Sequence, residues 1–427
     1  MTDSAFLYQQ NTLFIENCSV LEIVKEFGSP CYIYSRAAIE NKWRQFSDEL
    51  QHQPHCICYA VKANSNLAIL NLLAQLGSGF DIVSIGELER VLAAGGNPKK
   101  VIYSGVAKSH EEIARALNAN IYCFNVESMP ELDRIQAIAK QLNTVASIAF
   151  RINPDISVET HPYITTGLIE NKFGISFKEA LTYYEYAATL SNVRIVGIAC
   201  HIGSQLLDVA PFCEALTTLL KLIELLKLRG IIIEHIDIGG GLGVPYQDNK
   251  APEIKEYLQA LLTQFDKRIE SLIFAPGRAI VANAGILVTK IEYIKKTHNK
   301  YFAIVDAGMN DLVRPALYEA WHNILPVTLT SHNKTHKYDI VGPVCESSDF
   351  LAKDRELAIA EGDLLAVMTA GAYGFTMSSN YNSRPRVAEI MVDDKAAYVI
   401  RARESVVDLY RDEKLLPEKV FHENPVY

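Results

Sequence analysis

Between residues 56 and 278, β-prone runs and amphipathic helical stretches follow one another in regular alternation, and this restricts the fold more than any other feature of the chain. The β-prone runs cover residues 56–63, 79–84, 101–105, 121–126, 147–153, 194–203, 235–241 and 271–278. Helical patterns at 67–76, 85–94, 111–117, 129–142, 177–190, 211–228 and 252–270 separate them. Such alternation builds a parallel sheet, and eight strands are the number that closes a (β/α)8 TIM barrel. An open doubly wound sheet is the alternative. Beyond about residue 279 strand follows strand, at 286–295, 301–306, 338–341, 364–369, 386–392 and 397–401. That pattern reads as a mainly antiparallel β-sandwich or barrel domain. The strand-like stretch 12–16 assigns the first thirty residues to it. The expected organisation is therefore a barrel over 31–279 and a β domain made of 1–30 with 280–427. The polar stretch 331–337 reads as a hairpin or surface loop.

The 427 residues suffice for two or three domains, and 49% hydrophobic with 21% charged residues is ordinary globular composition. With 41 Lys plus Arg against 50 Asp plus Glu, the net charge of −9 argues against a nucleic-acid or anionic-membrane surface. The start, Met1-Thr-Asp-Ser-Ala-Phe6, lacks a basic segment and apolar core of the secretory kind, and no stretch is apolar for long enough to span a bilayer. A cytosolic enzyme is the expectation. The eight cysteines are scattered without a CxxC pair, as reduced thiols would be, and no metal-ligand cluster is expected.

A closed barrel places chemistry at strand carboxyl ends and phosphate after the seventh and eighth strands. Lys62 stands near the end of the first run, where apolar neighbours are expected to favour a neutral, nucleophilic amine able to condense with an aldehyde such as pyridoxal phosphate. A solvated strand-end lysine is the plain alternative. Asp81, Arg151 and His201 stand at other strand ends, with Ser204 beside Gly203. After the seventh run, Gly239, Gly240 and Gly241 let backbone amides approach an anion, and after the eighth Ala275-Pro-Gly277-Arg278 adds a turn and a guanidinium.

The segments Tyr59-Ala-Val-Lys62-Ala-Asn64, His201-Ile-Gly-Ser204-Gln205, Gly239-Gly-Gly-Leu-Gly243, Arg314-Pro-Ala-Leu-Tyr318, Cys345-Glu346-Ser347 and Gly371-Ala-Tyr373-Gly374 closely resemble the diaminopimelate decarboxylases. These belong to the fold type III, alanine-racemase-like group of pyridoxal 5'-phosphate enzymes. The resemblance runs from about residue 30 to about residue 390. It implies that Lys62 carries the cofactor, that His201 faces its ring, and that Ser204, Gly239, Gly240, Gly241, Gly277 and Arg278 surround its phosphate. Arg278, Arg314 and Tyr318 would receive substrate carboxylates, Glu346 the distal ammonium, and Tyr373 would lie over both ligands. Cys345 and Glu346 would act in the partner subunit's site, which implies a homodimer, and Cys345 or Lys62 would return a proton. The implied reaction is decarboxylation of meso-2,6-diaminopimelate to L-lysine, the last step of lysine biosynthesis.

Charge complementarity agrees. A substrate with two carboxylates and two ammonium groups needs guanidiniums and an anion. One departure stands out: Ala275 occupies the position where the family has a glutamate facing the pyridine nitrogen. Asp81 acting in its place, slower turnover and an engineered change are the explanations the sequence leaves open. Ser348 is a second, local departure, where the family often has glycine. An ornithine- or arginine-type decarboxylase, or a weakly active pyridoxal-phosphate-binding protein, are the competing functions.

Overall fold

The computed structural model describes residues 5–156, 172–247, 250–265, 268–330 and 334–417. Eight strands form a closed parallel barrel: β1 (His55–Ala60), β2 (Gly79–Ile82), β3 (Val101–Tyr103), β4 (Cys123–Val126), β5 (Ala146–Asn153), β6 (Val193–Ala199), β7 (His235–Asp237) and β8 (Ser271–Phe274). Each pairs in parallel with the next, and β8 returns to β1 with Leu272 opposite His55 and Phe274 opposite Ile57. The sheet is closed, and the open alternative is excluded.

Local sequence starts the barrel helices. Ser84, Ser109, Ser128 and Ser176 each accept a hydrogen bond from the backbone N–H of a glutamate three residues on, so that Ser-x-x-Glu marks four helix starts after a strand. Cysteines and branched apolar side chains fill the barrel interior beneath the cavity. Cys58, Ile102, Cys123, Val196 and Ile273 form its lower layer, near the amino ends of the strands. Val196 reaches that layer through an irregularity in β6 that shifts its register against β5 between Ile195 and Gly197.

The other domain is a mixed, mainly antiparallel sheet in the order Phe350–Leu357, His336–Val341, Tyr301–Val305, Gly285–Lys296, Cys31–Ser35, Ala388–Asp393, Ala396–Arg401. A three-stranded sheet of Phe6–Gln9, Thr12–Ile15 and Cys18–Ser19 accompanies it, and Phe6, Leu13 and Ile15 pack with Ile33, Ile286 and Ile390. Cys31–Ser35 departs from the expected barrel segment. It is buried along its whole length between two strands of the β domain, and the chain enters the barrel region with the helix Arg36–Leu50. The strand Phe350–Leu357 was not expected, because Lys353, Asp354 and Arg355 break its apolar pattern, a composition that suits a sheet edge. Residues 331–333 of the expected loop lie outside the described residues. Among the described residues no helix is long and apolar enough to cross a membrane, and no group of three His, Cys, Asp or Glu residues is placed to hold a metal.

His235 closes the lower barrel. Its ring is fully buried, Nδ1 lies 3.2 Å from the Tyr122 hydroxyl, and a Cβ at Gly197 would fall 2.1 Å from Nε2. Burial, with help from Arg194, pulls its pKa down to about 4 from 6.5. The unfolded chain therefore binds a proton between those values that the folded chain refuses, and stability falls as pH drops through that window. Urea unfolding should show the wild type losing up to about 1.4 kcal/mol per pH unit more than His235→Gln between about pH 6 and pH 4, with the two slopes converging below that. Parallel losses in the two proteins would contradict this account.

Candidate active site

The carboxyl ends of the strands open into a cavity of about 480 Å³ whose far wall is supplied by the β domain. Lys62 stands on a 3-10 turn, Val61–Ala63, that follows β1. This corrects the expected strand, which ran on to Ala63: the chain bends after Ala60, and Tyr373 N–H donates to the Ala63 carbonyl at 2.8 Å. The ammonium donates to Asp81 Oδ2 at 2.7 Å, with Lys62 38% exposed and Asp81 6%. Burial alone would pull the lysine pKa down, but the charge of Asp81, Tyr373 and the hydrogen bond to Asp81 outweigh it and raise it. The expectation of a neutral resting amine is thereby corrected: Lys62 is a paired ammonium in this state.

The turn is held from the β domain. Glu389, almost fully buried, accepts from the Tyr34 hydroxyl at 2.7 Å and from Asn66 Nδ2 at 2.9 Å, while Asn64 Nδ2 donates to the Gly371 carbonyl at 3.2 Å. Both Asn64 and Asn66 flank the lysine turn, so one carboxylate and one carbonyl of the second domain fix its exit.

The anion-binding side is built after β6, β7 and β8. Gly239 and Gly241 adopt φ of +73° and +113°, and a Cβ on Gly240 would fall 2.3 Å from the Ala275 carbonyl oxygen, so all three positions require glycine. Arg278 Nη2 donates to Ser204 Oγ at 3.1 Å and Nη1 to the Tyr246 hydroxyl at 2.6 Å. Its guanidinium lies 4.7 Å from the Tyr373 ring centre, and its buried Nε has no partner among the described residues. Arg314 opens the short helix Arg314–Tyr318 and sits 4.5 Å from the centre of the Tyr246 ring. It meets His322 Nε2 at 2.9 Å, and His322 Nδ1 lies 2.8 Å from the Met368 carbonyl. A carbonyl only accepts, so Nδ1 carries the proton and Nε2 accepts from Arg314. Burial, followed by the charge of Arg314, holds the His322 pKa down to about 3.

His201 is likewise kept neutral: burial first, then the charges of Arg151 and Lys62, lower its pKa far below the usual value. Asp237 accepts from Asn125 Nδ2 and from Gly239 N–H, both at 2.8 Å, and burial with the charge of Asp81 pushes its pKa up to about 6. Ala275 lines the same cavity.

All the expected site residues of the barrel meet here, together with Arg314, Tyr318 and Tyr373. Cys345 and Glu346 do not. Both are exposed and outside the cavity: Cys345 N–H donates to Asn382 Oδ1 at 2.9 Å, and Glu346 accepts from the Tyr381 and Ser348 hydroxyls. Tyr246 and His322 were missed. No strand end or glycine motif points to either, since both meet the cavity's arginines by tertiary packing alone.

The family model described as the pyridoxal binding domain of pyridoxal-dependent decarboxylases matches residues 36–282. Diaminopimelate decarboxylase of Vibrio cholerae is 56% identical over 97% of this chain and 99% of its own length. The chain belongs to the diaminopimelate decarboxylase family. Two solved members of that family, both complexed with L-lysine, share its architecture. The Helicobacter pylori enzyme is 45% identical with a TM-score of 0.89, covering 92% of this chain and 98% of that one. The M. jannaschii enzyme is 38% identical with a TM-score of 0.92, covering 96% and 98%.

In this decarboxylase Glu389→Ala would leave two buried donors, the Tyr34 hydroxyl and the Asn66 amide, without an acceptor. At about 1–3 kcal/mol for each group, the variant should lose on the order of 2–6 kcal/mol in urea unfolding. A loss below about 0.5 kcal/mol would show that the clamp is dispensable.

Proposed function

We propose that this chain is a pyridoxal 5'-phosphate-dependent carboxy-lyase that converts meso-2,6-diaminopimelate to L-lysine and carbon dioxide. The observation that carries the reading is the pairing of two guanidiniums, Arg278 and Arg314, with the Lys62–Asp81 ion pair in one cavity. A lysine alone supports an aldehyde-bearing cofactor. Two arginines beside it support a substrate with two carboxylates.

The residues present fit the cofactor. The glycine turn, where backbone can approach an anion closely, would meet a phosphate together with Ser204 Oγ and Arg278 Nε, which has no partner among the described residues. When bound, pyridoxal phosphate supplies an electron sink for the pair left on carbon as carbon dioxide departs. The protein's own work is positioning and proton management. Arg314, made rigid by His322 and Tyr246, would hold one carboxylate and so fix the substrate's orientation in the cavity. His201, kept neutral, would offer an uncharged imidazole to the cofactor. Lys62 Nζ, with Asp81 as its counter-ion, would hold a proton that it could return to carbon; Cys345 is the second candidate for that step.

Cys345 and Glu346 lie outside the cavity of their own chain, which supports their entering the site of a second copy in a homodimer. Glu346 would then meet the distal ammonium. The free cysteines support a reducing, cytosolic setting. An ornithine- or arginine-type activity has less support, because its substrate carries one carboxylate fewer than the two arginines accept. Ala275 favours a slower enzyme as the second reading, since no carboxylate stands at that position.

Borohydride reduction of the cofactor-loaded protein, followed by peptide mapping, should put the label on Lys62, and incubation with meso-diaminopimelate should release lysine. A label on another residue, or putrescine from ornithine as the main product, would overturn the assignment. Mixing Lys62→Ala with Cys345→Ala, each impaired alone, should restore up to about a quarter of wild-type turnover through re-assorted dimers holding one intact site. No recovery after demonstrated exchange would place both residues in a single-chain site.

A further inference from the structure

The closed end of the barrel carries a thiol pair that the decarboxylase chemistry leaves unused. Cys56 and Cys58 point the same way from β1, and their sulfurs are 3.6 Å apart. Cys58 is buried in the lower barrel layer, whereas Cys56 is half-buried at a separate cavity of about 310 Å³ that Lys99, Lys100 and Tyr122 help to line. The strand beside them makes room. Gly79 lies opposite Cys58 on β2, and a Cβ there would fall 2.8 Å from the Cys58 sulfur and 3.0 Å from the Cys56 sulfur. The pair thus fills the space of a missing side chain, with a path to solvent on one side.

We propose that Cys56 and Cys58 form a reversible oxidation site, in which a hydroperoxide converts the dithiol into a bridge within β1. The thiolate of Cys56 attacks the peroxide: a sulfur–oxygen bond forms, the oxygen–oxygen bond breaks, and the departing oxygen leaves as an alcohol or water. The Cys58 sulfur then attacks the resulting sulfenic acid, forming the disulfide, and its proton leaves with the expelled oxygen as water. Two thiols and one peroxide become one disulfide, one alcohol or water, and one water. The asymmetry of the pair suits these roles. The hydrogen bond from Cys58 lowers the Cys56 pKa against the opposing effect of burial, and Lys100 and a backbone N–H help, while the Cys58 thiol is raised.

Closing the bridge strains the strand. Residues two apart in an extended strand are separated by about 6.6–6.8 Å, the upper end of the span that a disulfide tolerates. β1 must therefore contract at Ile57, three residues before it passes into the turn that bears Lys62. Oxidation is accordingly expected to slow the decarboxylase, a consequence that rests on the role of Lys62 proposed above.

The test uses cofactor-loaded protein exposed to hydrogen peroxide, then alkylated with iodoacetamide without reductant and digested. The peptide spanning both cysteines should lose the mass of two hydrogens, take up no label, and recover both labels after dithiothreitol. In Cys58→Ser the Cys56 sulfenic acid should be trapped by dimedone. In Cys56→Ser, which alters only a half-buried position, Cys58 should remain a free thiol. Both thiols alkylating after exposure, or Cys56 passing to the sulfinic acid beside an unchanged Cys58, would overturn the proposal. Turnover should fall at least two-fold along the same time course and return with dithiothreitol. A constant turnover while the bridge forms would overturn the link to Lys62 and leave the assignment of the active site untouched.

Discussion

Closure of the parallel sheet, with β8 hydrogen bonding back to β1, is the constraint on which the site depends. It brings the residues that follow β1 and those that follow β8, more than two hundred positions apart in the chain, to one cavity. A Cβ on Gly277 would fall 2.9 Å from that of Ala63, which shows how closely the last strand's turn packs on the lysine turn. A closed sheet also has no free edge, so the strand ends, and not an exposed ladder, are where polar groups gather.

Within that frame, the electrostatic arrangement has two sides. On one, Lys62 and Asp81 neutralise each other in a site where an unpaired charge would be costly to bury. On the other, Arg278 and Arg314 remain positive with aromatic rings and a neutral histidine for company, so their charge is left available to an anionic ligand. His322 illustrates the principle: a protonated imidazole beside Arg314 would repel it, and burial keeps the ring neutral so that it accepts a hydrogen bond instead. The β domain contributes half of this arrangement and also clamps the lysine turn through Glu389.

Much of this was legible in the chain. Periodicity located all eight barrel strands because each is a short apolar run between helix-forming segments, and the barrel rule then assigned the glycine turn and the Ala275-to-Arg278 turn to the anion side. Strand ends were read less well. β7 stops at Asp237 and β8 at Phe274, because glycines and a proline that look permissive in sequence spend their freedom on turns. Cys31–Ser35 reads as part of the barrel from sequence alone, because five residues carry no sign of which sheet will flank them.

The sequence by itself determined the alternation of strands and helices, the chemical types at the strand ends and the family, since those depend on local pattern and motif. Only the tertiary structure decided that Lys62 rests as a paired ammonium, that Tyr246 and His322 hold the arginines, and that Cys345 and Glu346 lie outside their own chain's cavity. The physical reason is that charge state and contact are set by neighbours distant in the chain: Asp81 outweighs the burial of Lys62 from another strand, and no local pattern encodes that distance.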